Sequence, residues 1–207
     1  MIFAITGPDG AGKSTLCRET LLCFEKDFGK GSVSIASIWD TDIVRFFGSR
    51  EEIRNYLHDL NPYSRALLIF HAVRRSIELA QRQGSEIILV DGYWYKYAVS
   101  ELGMGAEAAW LISVVEKMPV PDFTLYLEIE PELAASRKTD ISLYERGIVA
   151  GGDEVSQFIS FQRQLVPIWK RIEEHFGPWT HASAQAPHAE LSQILLGEYS
   201  RRKGIGR

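Results

Sequence analysis

The chain has only two cysteines in 207 residues, no excess of positive charge, and no apolar run near the ~20 residues that a bilayer-spanning helix requires. Each shortage excludes something. Cys17 and Cys23 fall within one helical pattern, so a disulfide framework is excluded and buried thiols in a reducing compartment are expected. The opening MIFAITGPDG meets a glycine-rich stretch without a basic leader, so no secretory signal is expected there. A net charge of −4 argues against non-specific nucleic-acid binding, which needs a basic surface. The five histidines show no metal-ligand spacing with cysteine or carboxylates, which argues against a zinc site. Internal repeats and low-complexity linkers are also missing. The expectation is a cytoplasmic protein without membrane or nucleic-acid partners, with residues 1–207 forming one domain.

What is present is an alternation of short apolar runs and helical patterns. IFAIT (2–6), VSIASI (33–38), EIILVD (86–91) and FTLYLEI (123–129) read as buried strands, and WTHAS (179–183) as a weaker fifth. Helical periodicity covers 13–28, 51–59, 63–83 and 105–118. A longer helix carries Val155, Phe158, Ile159, Gln162, Leu165, Val166, Trp169, Ile172 and Phe176 on one face, with a kink expected at Pro167. A last helix is expected near 189–200, followed by a frayed RRKGIGR tail. Strands alternating with helices predict an α/β fold: a three-layer sandwich with about five parallel strands.

GPDGAGKST, residues 7–15, follows the first strand and opens the first helix with the spacing G-x-x-x-x-G-K-S. Glycines let backbone N–H groups approach phosphate oxygens, and the helix adds its positive end. Gly7, Asp9, Gly10, Ala11, Gly12, Lys13, Ser14 and Thr15 are therefore the expected ATP-binding residues. Lys13 would reach the β- and γ-phosphates, and the Ser14 hydroxyl suits Mg²⁺. Asp91 ends the EIILV run, where a carboxylate at a strand's edge can order the magnesium's water shell or touch substrate.

Four stretches together resemble the thymidylate kinase family. They are GPDGAGKST, LNPYSRALLIFHAVRRS (60–76), ILVDGYWYKYAVSE (88–101) and PDFTLYLEIEPELAASR (121–137). The resemblance implies a P-loop kinase fold with a short lid at about 137–153. It also implies ATP and Mg²⁺ as cofactors, a nucleotide acceptor, and a homodimer. It places Asp9 on the deoxyribose 3′-hydroxyl, and Phe70 and Arg74 against a thymine. Lys96, Tyr97 and Glu101 fall in the acceptor segment, Tyr97 and Glu101 at a serine and a glutamine that face the base.

The sequence departs from that pattern where the acceptor's phosphate is gripped. Family members carry one arginine after the second strand and another in D-R-Y; here these regions read SIWDTDIVR and Asp91-Gly92-Tyr93. Arg45 and Lys96 are the candidate substitutes. Some members carry a catalytic arginine after the loop aspartate, where this chain has Gly10, so the cation must come from the lid: Arg137, Lys138 or Arg146. Trp39, Trp94 and Tyr95 fit either core or pocket wall, and His71 fits a packed helix position. Three functions follow. The first is ATP-dependent phosphorylation of a pyrimidine deoxynucleoside monophosphate, dTMP or a modified analogue. The second is a P-loop kinase acting on a nucleoside or other hydroxylated acceptor. The third is a nucleotide-binding protein without transfer activity, which the arginine-bearing lid argues against.

Overall fold

In the computed structural model, which describes residues 1–205, five parallel strands form one sheet in the order β2-β3-β1-β4-β5. The strands are β1 (Ile2–Thr6), β2 (Val33–Ala36), β3 (Ile87–Asp91), β4 (Phe123–Glu128) and β5 (Thr180–Ser183). All four strand pairings are parallel, and β1 lies between β3 and β4. The chain therefore crosses from one side of β1 to the other after β3. A crevice opens at the carboxyl ends of the strands beside that reversal.

The residues of β1 alternate between two apolar layers. Phe3 and Ile5 face a cluster with Leu16, Phe24, Leu191 and Leu195, which belong to α1 (Lys13–Phe28) and α10 (His188–Lys203). Ala4 faces the opposite cluster. That second layer is built from α4 (Pro62–Gln81), α5 (Trp94–Gly103), α6 (Ala108–Val115) and α9 (Glu154–Phe176), with α3 (Arg50–Asp59) at its edge. The short helices α2 (Asp42–Phe47), α7 (Pro131–Ser136) and α8 (Leu143–Arg146) complete the chain. Among the described residues, no helix is long and apolar enough to cross a membrane.

Several expectations are corrected. The 105–118 helix is shorter, Ala108–Val115, and α5 precedes it in a segment that carries no clear helical period because both of its faces are buried. Along α9, Val155 and Val166 are exposed, whereas Phe161, off the expected face, is buried against α5 and α8. Pro167 lies inside α9, which continues through it to Phe176. The expected frayed tail is helical through Lys203, where Glu86 pairs with the lysine; residues 206–207 lie outside the described residues. Cys17 is buried and Cys23 half-buried on α1, both free, and burial pushes the Cys17 thiol well up.

The turn from β1 into α1 depends on close backbone approach. Gly7 has φ of +135°, and a Cβ there would sit 2.5 Å from the Leu127 carbonyl oxygen of β4. Neither the conformation nor the contact admits a side chain. Gly7→Ala is expected to lower unfolding stability by about 2 kcal/mol or more, measured by urea denaturation. A loss below about 0.5 kcal/mol would show that the loop relaxes away from β4 freely.

Candidate active site

The phosphate loop closes one end of a cleft of about 500 Å³ at the carboxyl edge of the sheet. Its walls bring together Asp9, Gly10, Gly12, Lys13, Ser14 and Thr15 with Asp91, Lys96, Tyr97 and Arg137. Residues from three separate sequence regions thus converge. Gly7 and Ala11 lie beneath, in the turn itself. Gly10 and Gly12 both have positive φ, and a Cβ on Gly10 would meet the Ala134 carbonyl oxygen of α7 at 2.6 Å. The loop is consequently wedged against both β4 and α7.

Electrostatics inside the cleft are tight. The Lys13 ammonium donates to the carbonyl oxygens of Gly7 at 3.0 Å and Pro8 at 2.5 Å. Burial lowers its pKa to about 8, with Lys96 pushing the same way against Asp9 and Asp91. Lys96 reaches across from α5 to pair with Asp9 at 2.6 Å. Burial works against both charges. For Lys96 the Asp9 carboxylate overcomes it and raises the ammonium, and for Asp9 the two lysines hold the carboxyl below its usual range. Tyr97, also enclosed, is pushed up to about 12 by burial.

The donor set fits a nucleotide triphosphate with Mg²⁺. Ser14 and Asp91 line the same cleft and would hold the ion and its water shell, a small protein contribution that suits Mg²⁺. Five cations (Lys13, Arg54, Lys96, Arg137, Lys138) face four carboxylates there, leaving an anion-favouring balance.

A second chamber of about 410 Å³ adjoins the first and shares Trp39, Arg54, Lys96, Tyr97, Asp140 and Glu145 with it. Its remaining wall comes from Ile38, from Glu51, Asn55, Leu57 and His58 of α3, from Ile69 and from the 141–146 segment. Arg137 lines the phosphate cleft and donates to the Ala184 carbonyl at 3.1 Å. Arg146 instead lines the second chamber and pairs with Glu154 at 2.7 Å. Lys138 is held by Glu145 at 2.7 Å.

Three expected substrate residues lie elsewhere. Phe70 is buried against Trp94, and Arg74 points outward to Glu78 and the Lys117 carbonyl. Neighbouring Ile69 takes the chamber wall instead, because one residue turns a helix by about 100°. Glu101 is fully buried and bound by Arg65, not turned to either chamber. Arg45 is exposed on α2 and lines neither chamber, so of the two candidate cations only Lys96 lines the chambers. Arg54 carries no motif in the sequence, and of the two placements open to Trp39 the structure gives the wall, while Trp94 and Tyr95 are buried. Arg50 and Arg54, one helical turn apart, both set their guanidinium groups over the Trp39 ring, at 5.6 and 5.5 Å, a contact that no local sequence pattern announces.

A parallel sheet whose first strand runs into a lysine-bearing glycine loop, with cations gathered over it, defines a P-loop protein of the nucleotide kinase type. A sequence model of the family described as thymidylate kinase matches residues 5–148. Curated thymidylate kinases are similar at low identity. That of Danio rerio is 22% identical over 183 residues, covering 84% of each chain. That of Arabidopsis thaliana is 24% identical over 207 residues, covering 95% of this chain and 71% of its own. The enzyme from Chlorobium luteolum is 30% identical over 150 residues, covering 67% of this chain and 66% of its own. The chain belongs to the thymidylate kinase family.

The lowered Lys13 ammonium has a measurable consequence. Polyphosphate stabilises its charged form, so binding above about pH 8 must take up a proton, and affinity must weaken as pH rises further. Titration calorimetry with ATP in buffers of different ionisation enthalpy should show uptake that is absent near pH 6.5 and grows through about pH 8–9. The same uptake in Lys13→Met would assign the proton to another group.

Proposed function

We propose that this chain transfers the γ-phosphoryl group of ATP to a pyrimidine deoxynucleoside monophosphate, dTMP or a close 5-substituted analogue. The observation that carries this reading is the pair of adjoining chambers sharing one wall, at Lys96, Tyr97, Trp39 and Arg54. A donor phosphate over the loop and an acceptor in the second chamber would meet at that wall. There an acceptor phosphate oxygen attacks the γ-phosphorus as the bond to the β-bridging oxygen breaks, and ADP leaves. Lys13 and the loop amides neutralise the β- and γ-oxygens. Mg²⁺ beside Ser14 and Asp91 would supply further charge neutralisation.

Residues 137–153 act as the lid of the single kinase domain. Arg137, facing the donor side, is the transition-state cation, and Arg146 serves the acceptor side. Lys96 and Arg54 replace the two missing acceptor-phosphate arginines. Lys96 enters from one helical turn into α5, its Cδ only 3.8 Å from where a side chain on Gly92 would begin. Trp39 gives the acceptor base an aromatic face, the role the sequence assigned to Phe70. The family relationship also supports a homodimer.

One observation favours a second reading. Lys96 is already neutralised by Asp9, which suits an acceptor without a phosphate, such as a nucleoside. Kinetics on dTMP, 5-substituted analogues and thymidine separates the two. The first reading expects kcat/KM for dTMP to exceed that for thymidine by at least about 100-fold, an ordinary margin for a charged group the site is built to bind. The reverse preference would establish the second.

Lys13→Ala should abolish transfer in a folded protein, since contacts to transition-state charge in a dry site are worth several kcal/mol. Arg137→Ala should lower kcat by ~10³-fold with little change in KM for ATP. Lys96→Gln should instead raise KM for dTMP by about tenfold or more. If Arg146→Ala lowers kcat as Arg137→Ala was expected to, the two roles are exchanged.

A further inference from the structure

A buried polar cluster lies just behind the second chamber and joins four elements, α3, α4, α5 and α8. Arg65 on α4 is 5% exposed and Glu101 on α5 is 0% exposed. The guanidinium donates to both carboxylate oxygens, Nε to Oε1 at 2.8 Å and Nη2 to Oε2 at 2.9 Å. Its remaining arm, Nη1, donates to the Leu60 carbonyl at 3.0 Å and to that of Leu57 at 3.4 Å. Leu57 lies in the last turn of α3, where its carbonyl also accepts from the Leu60 N–H, and the Leu60 carbonyl follows just past the helix end. On the other side the Tyr144 hydroxyl, from α8 in the lid, donates to Glu101 Oε1 at 3.0 Å. The Arg65 guanidinium also lies 5.3 Å from the centre of the Tyr144 ring.

A buried ion pair is not an economical way to hold two helices together, because desolvation of both charges offsets their attraction. The particular value of this pair is its spare valence. Arg65 has donors left for the end of α3, and Glu101 has an acceptor site left for the lid. α3 carries Arg54 and α8 carries Glu145 and Arg146, all at the chambers. The pair is thus the common anchor of two walls that belong to different parts of the chain.

We propose that Arg65, Glu101 and Tyr144 form an internal latch that docks the lid and α3 over the acceptor chamber, making them positioning residues for phosphoryl transfer. The lid role rests on the kinase reading given above. With the latch made, the lid encloses the phosphate cleft and water is excluded from it. When the lid swings away, the Tyr144 hydroxyl leaves a buried carboxylate one hydrogen bond short, so the open state is disfavoured. The ion pair itself stays in place, which makes docking reversible without disturbing the core.

Tyr144→Phe keeps the ring and removes only the hydroxyl. Amide hydrogen exchange on the full chain without ligands should quicken about tenfold or more through residues 138–149, with α4 and α5 amides unchanged. In turnover, ATP hydrolysis without acceptor should rise relative to transfer, and KM for the acceptor should rise more than kcat falls. Glu101→Gln keeps an oxygen for Tyr144 but removes the charge, so it should also loosen α3. Should that variant fail to fold, Tyr144→Phe decides alone. Unchanged exchange over 138–149, or an increase spread evenly over the whole chain, overturns the latch. Because exchange is read without substrate, a wild-type protein inactive on every acceptor would refute the kinase reading and leave the latch to stand or fall on the exchange result.

Discussion

Two lysines and one aspartate, each largely buried, crowd together on the lining of one cleft, and much of the site is arranged around that crowding. Lys13 and Lys96 repel each other, and Asp9 neutralises only one of them. The arrangement is tolerable because Lys13 can lean on the Gly7 and Pro8 carbonyls and give up its proton near pH 8. It also stores an unmet demand for negative charge at the mouth of α1, where the helix N-terminus adds its own. The glycines that hold the loop flat against β4 and α7 keep these charges from relaxing apart. Rigid backbone and crowded cations are two sides of one arrangement, whose strain an anion would relieve locally.

The strands and the phosphate loop were legible in the sequence because each rests on a short-range rule. A strand buried on both faces must be apolar throughout, and β1, β3 and β4 are found within a residue or two of their apolar runs. α1 begins at Lys13, as the loop spacing requires. The helices α2, α7 and α8 have six residues or fewer and too few turns to show a period. α5 was invisible for the opposite reason, being buried nearly all round.

The acceptor side was read less well, and the failures have a common geometry. Motif matching fixes a residue's position along a helix but not which way its side chain faces. On α4 the family-like Phe70 and Arg74 turn into the core and out to solvent, while Ile69 takes the chamber wall. Glu101 appeared as a glutamine's replacement facing a base, yet it belongs with Arg65, 36 residues earlier, a partnership that no local pattern announces. Arg54 escaped notice because its importance comes from Trp39 and from Asp140, which lies 3.7 Å away across the chain.

The layer beneath the phosphate loop bears on how the protein is made. α1 packs against α10, and the buried Thr20 and Ser192 hydroxyls bond to each other at 2.8 Å across 172 residues. Leu191 and Leu195 from α10 share a cluster with Leu16, so the helix that begins at Lys13 has no finished underside until α10 has docked. Contacts of such long sequence separation form late. During synthesis the loop at residues 7–15 leaves the ribosome well before α10 (His188–Lys203), the helix that supports it. A chain synthesised only as far as α9 would therefore carry the glycine loop and α1 without the apolar underside that holds them in place.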